Sequence, residues 1–131
     1  MESHNIKPIV KLISMGWAGV DPSVMGRGPV PATQMALDKA GLKAEDIDYW
    51  EINEAFAIVT LSCIKHFNIN PDRVNIKGGA IAIGHPLGAS GVRLPATLAR
   101  ILNEKKARYG CANLCCGSGQ GVALVMENVN V

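Results

Sequence analysis

The stretch Gly78-Gly79-Ala80-Ile81-Ala82-Ile83-Gly84-His85-Pro86-Leu87-Gly88-Ala89-Ser90-Gly91 decides the fold of this 131-residue chain. It sets five glycines around a single histidine and runs into a helical pattern that continues to about Lys106. Glycine at this density permits positive φ and close backbone approach. A loop that only had to turn would need fewer. Pro86 biases His85 away from the helical region. No Gly-Lys-Ser/Thr closes the stretch, so it is not a phosphate loop. No G-x-G-x-x-G directly follows a strand, which excludes a dinucleotide fingerprint. A lone histidine is more often structural than catalytic, but the glycine setting reverses that expectation for His85. His4 and His66 have no such setting and are read as structural.

Upstream and downstream of this block the chain alternates strands with helices. Ile9 to Gly19 is rich in β-branched and small residues and reads as a strand. Gly26-Arg27-Gly28-Pro29-Val30-Pro31 breaks it, Pro31 suits a first helical turn, and a helix over 32–40 ends at Gly41 in a left-handed conformation. Ile47 to Ile52 is a second strand and Val74 to Lys77 a short third. Two more strands, around 111–115 and 122–127, flank Gly117-Ser118-Gly119-Gln120-Gly121. The segment 55–67 is apolar on nearly every helical face, which predicts a helix buried on all sides between layers. Pro95 falls inside the third helix, where it removes one hydrogen bond and clashes with a carbonyl. A kink near Gly91, or a later helix start, is the expectation. The pattern is α/β: a mixed five-stranded sheet with helices on both faces.

Composition narrows the function. Hydrophobic residues make up 48% and charged residues 18%, too apolar for a disordered chain. The balance is also high for a free-standing domain of this size, which points to surface buried against other protein. A net charge of +2 with scattered basic residues gives nucleic acid little electrostatic hold. No apolar run approaches the ~20 residues of a membrane span. Met1 to Asn5 lacks the basic start and apolar core of a secretory signal. The four cysteines, at 63, 111, 115 and 116, form neither a disulfide framework nor the C-x-x-C pairs of a zinc site, so no metal is expected. Reduced thiols point to a cytoplasmic setting.

Two further motifs stand at strand ends. Asn53-Glu54-Ala55-Phe56-Ala57 follows the second strand. Asn53 could be a helix cap, or its amide could orient a water or a substrate carbonyl. Glu54 could be an acid/base, or could simply meet a helix dipole. Cys115-Cys116-Gly117-Ser118-Gly119-Gln120-Gly121 follows the fourth strand. A cysteine there could present its sulfur to a cleft beside free backbone N–H groups. Cys–His chemistry needs an imidazole near a thiol and donors for a developing oxyanion. His85 and the N–H groups near Gly117 are the candidates.

These three segments, with Gly-Pro-Val-Pro-Ala at 28–32, resemble the C-terminal catalytic blocks of the thiolases, in order and at compatible spacing, from about Lys7 to Glu127. The resemblance implies the second half of a five-layered αβαβα fold, with residues 1–6 a leader or remnant and 7–131 the domain. The all-apolar helix would lie in the central layer. It implies acyl transfer between coenzyme A thioesters, forming or cleaving a 3-oxoacyl-CoA in lipid metabolism, with no other cofactor and no separate cofactor-binding residues. His85 would activate the nucleophilic cysteine and help hold the thioester oxyanion. Asn53 would hold the water that completes that site. Cys115 would move the α-proton of acetyl-CoA, and the Gly117 N–H would serve a second oxyanion hole. The nucleophile itself belongs to the family's N-terminal half. Cys63 in a helix and Cys111 in a strand do not replace it, so this chain alone is expected to be inactive and to need that half as partner. Cys116 should point away from Cys115 and pack. A non-catalytic thiolase-fold partner or dimerising scaffold is the alternative, since an uncovered apolar helix favours homo-oligomers. A small hydrolase using Cys115 and His85 directly is a third.

Overall fold

The computed structural model describes His4 and residues 6–131. Of the expected leader over 1–6, residues 1–3 and 5 lie outside the described residues. Four strands, β1 (Val10–Gly19), β2 (Tyr49–Ile52), β3 (Tyr109–Cys116) and β4 (Gln120–Asn128), form one mixed sheet in the order β1-β4-β3-β2. β1 pairs antiparallel with β4, β4 antiparallel with β3, and β3 parallel with β2. Helices α1 (Pro29–Ala40) and α2 (Ala57–Phe67) cover one face, and α4 (Leu87–Lys105) covers the other. A single-turn helix, α3 (Ala80–Ile83), precedes α4. The α/β architecture with helices on both faces is therefore as the sequence predicts, with one strand fewer.

The missing strand has a specific cause. Val74 makes one parallel bridge to Trp50, and Asn75 then turns to a left-handed φ of 49°. Its side chain takes over the ladder. Asn75 Oδ1 accepts from the Ile52 N–H and its Nδ2 donates to the Ile52 carbonyl, both at 2.8 Å. A side-chain amide thus satisfies the edge of β2 where a fifth strand would run.

Two cores fill the layers. On one face Ala32, Ala36 and Leu37 of α1 meet Trp50, Ile52, Cys63, Cys111 and Val125. Gly16 lets α1 lie close on β1, because a Cβ there would run into the Ala32 carbonyl and the Ala36 N–H. On the other face Leu94, Leu98 and Leu102 of α4 pack on Ala112 and Met126. Their spacing of four residues puts them on one helical stripe. Each fully buried leucine contributes about 1.5–3 kcal/mol of transfer free energy.

Helix ends follow local rules better than helix environments do. Pro29 and Pro31 sit in the first turn of α1, and Gly41 closes it with φ 67°. The expectation that 55–67 is buried on all sides does not hold within this chain. Val59 and Cys63 are wholly buried, while Ile58 is 66% exposed and Leu61 57%. One face of α2 lies on the protein and the other is uncovered. The expected break near Gly91 is also overturned. α4 begins at Leu87, four residues earlier, and stays helical through Pro95. The carbonyl that Pro95 cannot pair is that of Gly91, four residues back, which is exposed and has no side chain to crowd the ring.

Candidate active site

A buried Asn53 follows β2 directly, and the structure gives it a partner other than a helix. The cap position of α2 is Phe56, with no side-chain hydrogen bond, so Asn53 is not a cap. Its backbone N–H donates to the Asn113 carbonyl on β3, which ties it to the sheet. Its side-chain Nδ2 lies 3.2 Å from His85 Nε2, and its Oδ1 is buried without a partner. The other ring nitrogen, His85 Nδ1, lies 2.7 Å from Ser90 Oγ. Two side chains, one from a strand end and one from a helix start, therefore meet around the imidazole that the loop delivers.

Glu54 holds the loop that delivers this histidine. Its Oε1 accepts from Asn75 Nδ2 and its Oε2 from the Ile81 N–H at the start of α3, both at 2.9 Å. Gly79 is required beside it, since a Cβ there would collide with the Glu54 carboxylate. Both carboxylate oxygens are committed, so Glu54 is a clamp and not a free acid/base. Sequence reasoning missed Asn75 and Ser90. A serine five residues after the histidine, at the first buried turn of the helix, was the available signal for Ser90.

Cys115 and Gly117 lie at the end of β3, the strand next to β2. Side-chain alternation turns Cys111, Asn113 and Cys115 toward α1 and α2, where Asn113 Nδ2 donates to Thr33 Oγ1 at 3.0 Å. Cys115 is buried and Cys116 half-buried, as expected for opposite sides of a strand. No hydrogen bond joins Cys115 to His85 or Asn53 among the described residues. Gly117 opens a 3-10 turn, so its N–H has no acceptor within the turn, and the space above its Cα is open. A groove of about 590 Å³ runs between Val24, Met25, Phe56, Ile58 and Leu61; Asn53, His85 and Cys115 do not line it.

Burial sets the electrostatics. It pushes the Cys115 thiol above its ordinary range, opposed by a backbone hydrogen bond and helped by neighbouring Cys116. Burial, with Cys115 nearby, drives Cys63 up to about 12, and burial drives Cys111 up as well. All three are neutral thiols at pH 7. Sequence reasoning also passed over Glu51, which is 2% exposed with Oε1 unpartnered. Burial raises its carboxyl to about 7, against the pull of Arg93 and with the push of Glu54.

The sequence matches the family described as Thiolase, C-terminal domain, over residues 6–128. The chain belongs to the thiolase family. It is 50% identical to the 3-ketoacyl-CoA thiolase of Marinobacter nauticus, a match covering 98% of this chain and 34% of that protein. It is likewise 50% identical to the Salmonella typhimurium 3-ketoacyl-CoA thiolase, over 95% of this chain and 33% of that one. The crystal structure of human mitochondrial 3-ketoacyl-CoA thiolase in complex with CoA superposes with a TM-score of 0.93 at 41% identity, over 98% of this chain and 32% of that one. The Bacillus anthracis acetyl-CoA acetyltransferase gives 0.93 at 38% identity, with the same coverage. This thiolase domain thus spans about a third of the length of the relatives it matches. Among its described residues no helix is long and apolar enough to cross a membrane.

Proposed function

We propose that this thiolase domain is the C-terminal catalytic part of an enzyme that transfers acyl groups between coenzyme A thioesters, with the nucleophilic cysteine supplied by an N-terminal half. The observation that carries the proposal is the Asn53–His85 hydrogen bond, held at a strand end by Glu54 and Ser90. His85 takes the proton of the nucleophilic thiol as its sulfur attacks the 3-oxo carbon. The C2–C3 bond then breaks, and the electron pair goes to the enolate of acetyl-CoA. The Cys115 thiol gives that carbon its proton, and the resulting thiolate takes the proton of coenzyme A as the coenzyme A sulfur attacks the acyl-enzyme and displaces the cysteine, which recovers its proton from His85. In the reverse direction the Cys115 thiolate removes the α-proton. A thiol raised by burial suits the donor role, because it arrives at the enolate protonated. The Asn53 amide holds a water that, with His85, stabilises the thioester oxyanion. The Gly117 N–H contributes to a second oxyanion hole.

The same neutral thiol argues against a small Cys–His hydrolase, which needs Cys115 as a thiolate beside His85. A non-catalytic thiolase-fold partner draws support from the exposed apolar residues Phe56, Ile58 and Leu61, which either reading requires to be covered.

The test is thiolysis of acetoacetyl-CoA by coenzyme A, run on the chain alone and with the N-terminal two-thirds of a related thiolase added in trans. The chain alone should be inactive and the mixture active. His85→Ala and Cys115→Ala should each lower the rate of the mixture by about 100-fold or more. Activity of the mixture that neither variant changes would leave the non-catalytic reading in its place.

A further inference from the structure

We propose that Ser90 is a positioning residue that fixes His85 as its Nδ1–H tautomer, leaving Nε2 bare toward Asn53. The proton assignment comes from following the hydrogen bonds outward from a group whose role is certain. The Pro86 carbonyl can only accept. It already receives the Ala89 and Ser90 N–H groups at 2.9 Å, and Ser90 Oγ lies 3.2 Å from it. A helical serine commonly donates its hydroxyl to the carbonyl four residues back. With its one proton used there, Ser90 Oγ meets His85 Nδ1 at 2.7 Å as an acceptor, so Nδ1 must carry the hydrogen.

The opposite side of the ring gives the same answer independently. Asn53 Nδ2 is a donor and faces Nε2 at 3.2 Å, which requires Nε2 to be bare. The alternative ordering needs Asn53 turned over. That would put the NH2 group where Oδ1 now lies, buried with no partner. Two orphaned buried donors are less tolerable than one under-satisfied carbonyl. Ser90 and Asn53 are both 0% exposed, so water does not compete for either bond.

The consequence rests on the reading of His85 as the base for the nucleophilic thiol. A base must present its lone pair, and on this ring the lone pair is at Nε2, where the Asn53 N–H now lies and must give way to the thiol. The sequence His85-Pro86-x-x-x-Ser90 therefore carries the tautomer in the spacing between a loop histidine and the first buried turn of α4.

The experiment is nitrogen NMR of the chain labelled with 15N at the imidazoles, at pH 8, with His4 and His66 as internal references. His85 should show a protonated-type Nδ1 and an unprotonated-type Nε2. In Ser90→Ala the two signals should move toward each other or exchange. Ser90→Cys, which keeps the volume but replaces a strong acceptor by a weak one, should do the same and serves if alanine unsettles the helix. A wild-type His85 protonated at Nε2, or variants that keep the wild-type pattern, would overturn the proposal. In the reconstituted thiolysis assay Ser90→Ala should lower kcat by about 10-fold or more with KM for coenzyme A unchanged. An Nδ1–H pattern in a domain that supports no thiolysis in any mixture would support the tautomer assignment and remove the catalytic reading alone.

Discussion

Glu51→Gln should stabilise this domain above pH 7, although it removes a buried charge that faces an arginine. Glu51 lies on β2 between Trp50 and Ile52, is 2% exposed, and has no partner for Oε1. Arg93 attracts it from α4, but no ion pair forms between them among the described residues, and Arg93 Nε and Nη2 are themselves unpartnered. The carboxyl is therefore raised from its ordinary 4.5 to about 7 by burial. A carboxyl that is raised in the folded state binds more protons there than in the unfolded chain. Stability then falls as pH climbs from 4.5 through 7 and stays reduced above it. At about 1.36 kcal/mol per pH unit, the full loss is about 3 kcal/mol. Urea denaturation of both proteins at pH 5, 6, 7 and 8 measures it. The wild type should lose stability steadily relative to Glu51→Gln across this range, by about 2.5 kcal/mol, the rest of the loss having occurred below pH 5. A difference between the two that stays flat from pH 5 to 8 would refute the assignment of a raised Glu51. A difference that grows in favour of the wild type would mean that Arg93 outweighs burial.

Two other expectations follow from packing. Gly16→Ala should destabilise the domain by about 2–3 kcal/mol, seen as a lower Tm, because the new methyl meets backbone atoms of α1 that can yield only by moving the helix. An unchanged Tm would mean that α1 slides on β1 at little cost. Alkylation by iodoacetamide at pH 8, followed by mass spectrometry, should label Cys116 first, since it alone is not fully buried. Cys63, held up to about 12, and Cys111 should react only in denaturant; early labelling of either would contradict the packing of α2 on the sheet.

What the sequence revealed and what it hid divide along the reach of each residue. Gly41 and the prolines of α1 act on their own backbone, so their effects were legible. The strand-end motifs were legible because Asn53, His85 and Cys115 each stand beside glycine or a helix start. Asn75 was not, because nothing local announces that a side-chain amide will pair with Ile52 in place of a strand. Glu51 sits on the inward side of a strand whose neighbours are apolar. Its alternation reads as burial only once the opposite face of the sheet is known to carry α4. The continuity of α4 through Pro95 depended on Gly91 lying exactly one hydrogen bond upstream, a pairing of two unfavourable residues that offset each other.

The error over α2 has the most physical content. Apolar residues around a whole helix predict that every face is buried, but composition does not say by which chain. In this domain Phe56, Ile58 and Leu61 are exposed on the α2 side of the sheet, and Ile81, Ile83, Leu87 and Val92 around the start of α4. Large exposed apolar groups gathered on two opposite sides are unusual for a surface that faces only water. The sequence pattern therefore predicts a burial of α2 that this chain does not itself supply. If a thiolase N-terminal fragment covers these residues, its addition should protect the amides of α2 from hydrogen exchange and leave those of β3 and β4 unchanged. Protection of neither helix on mixing would show that these residues are accommodated without that half.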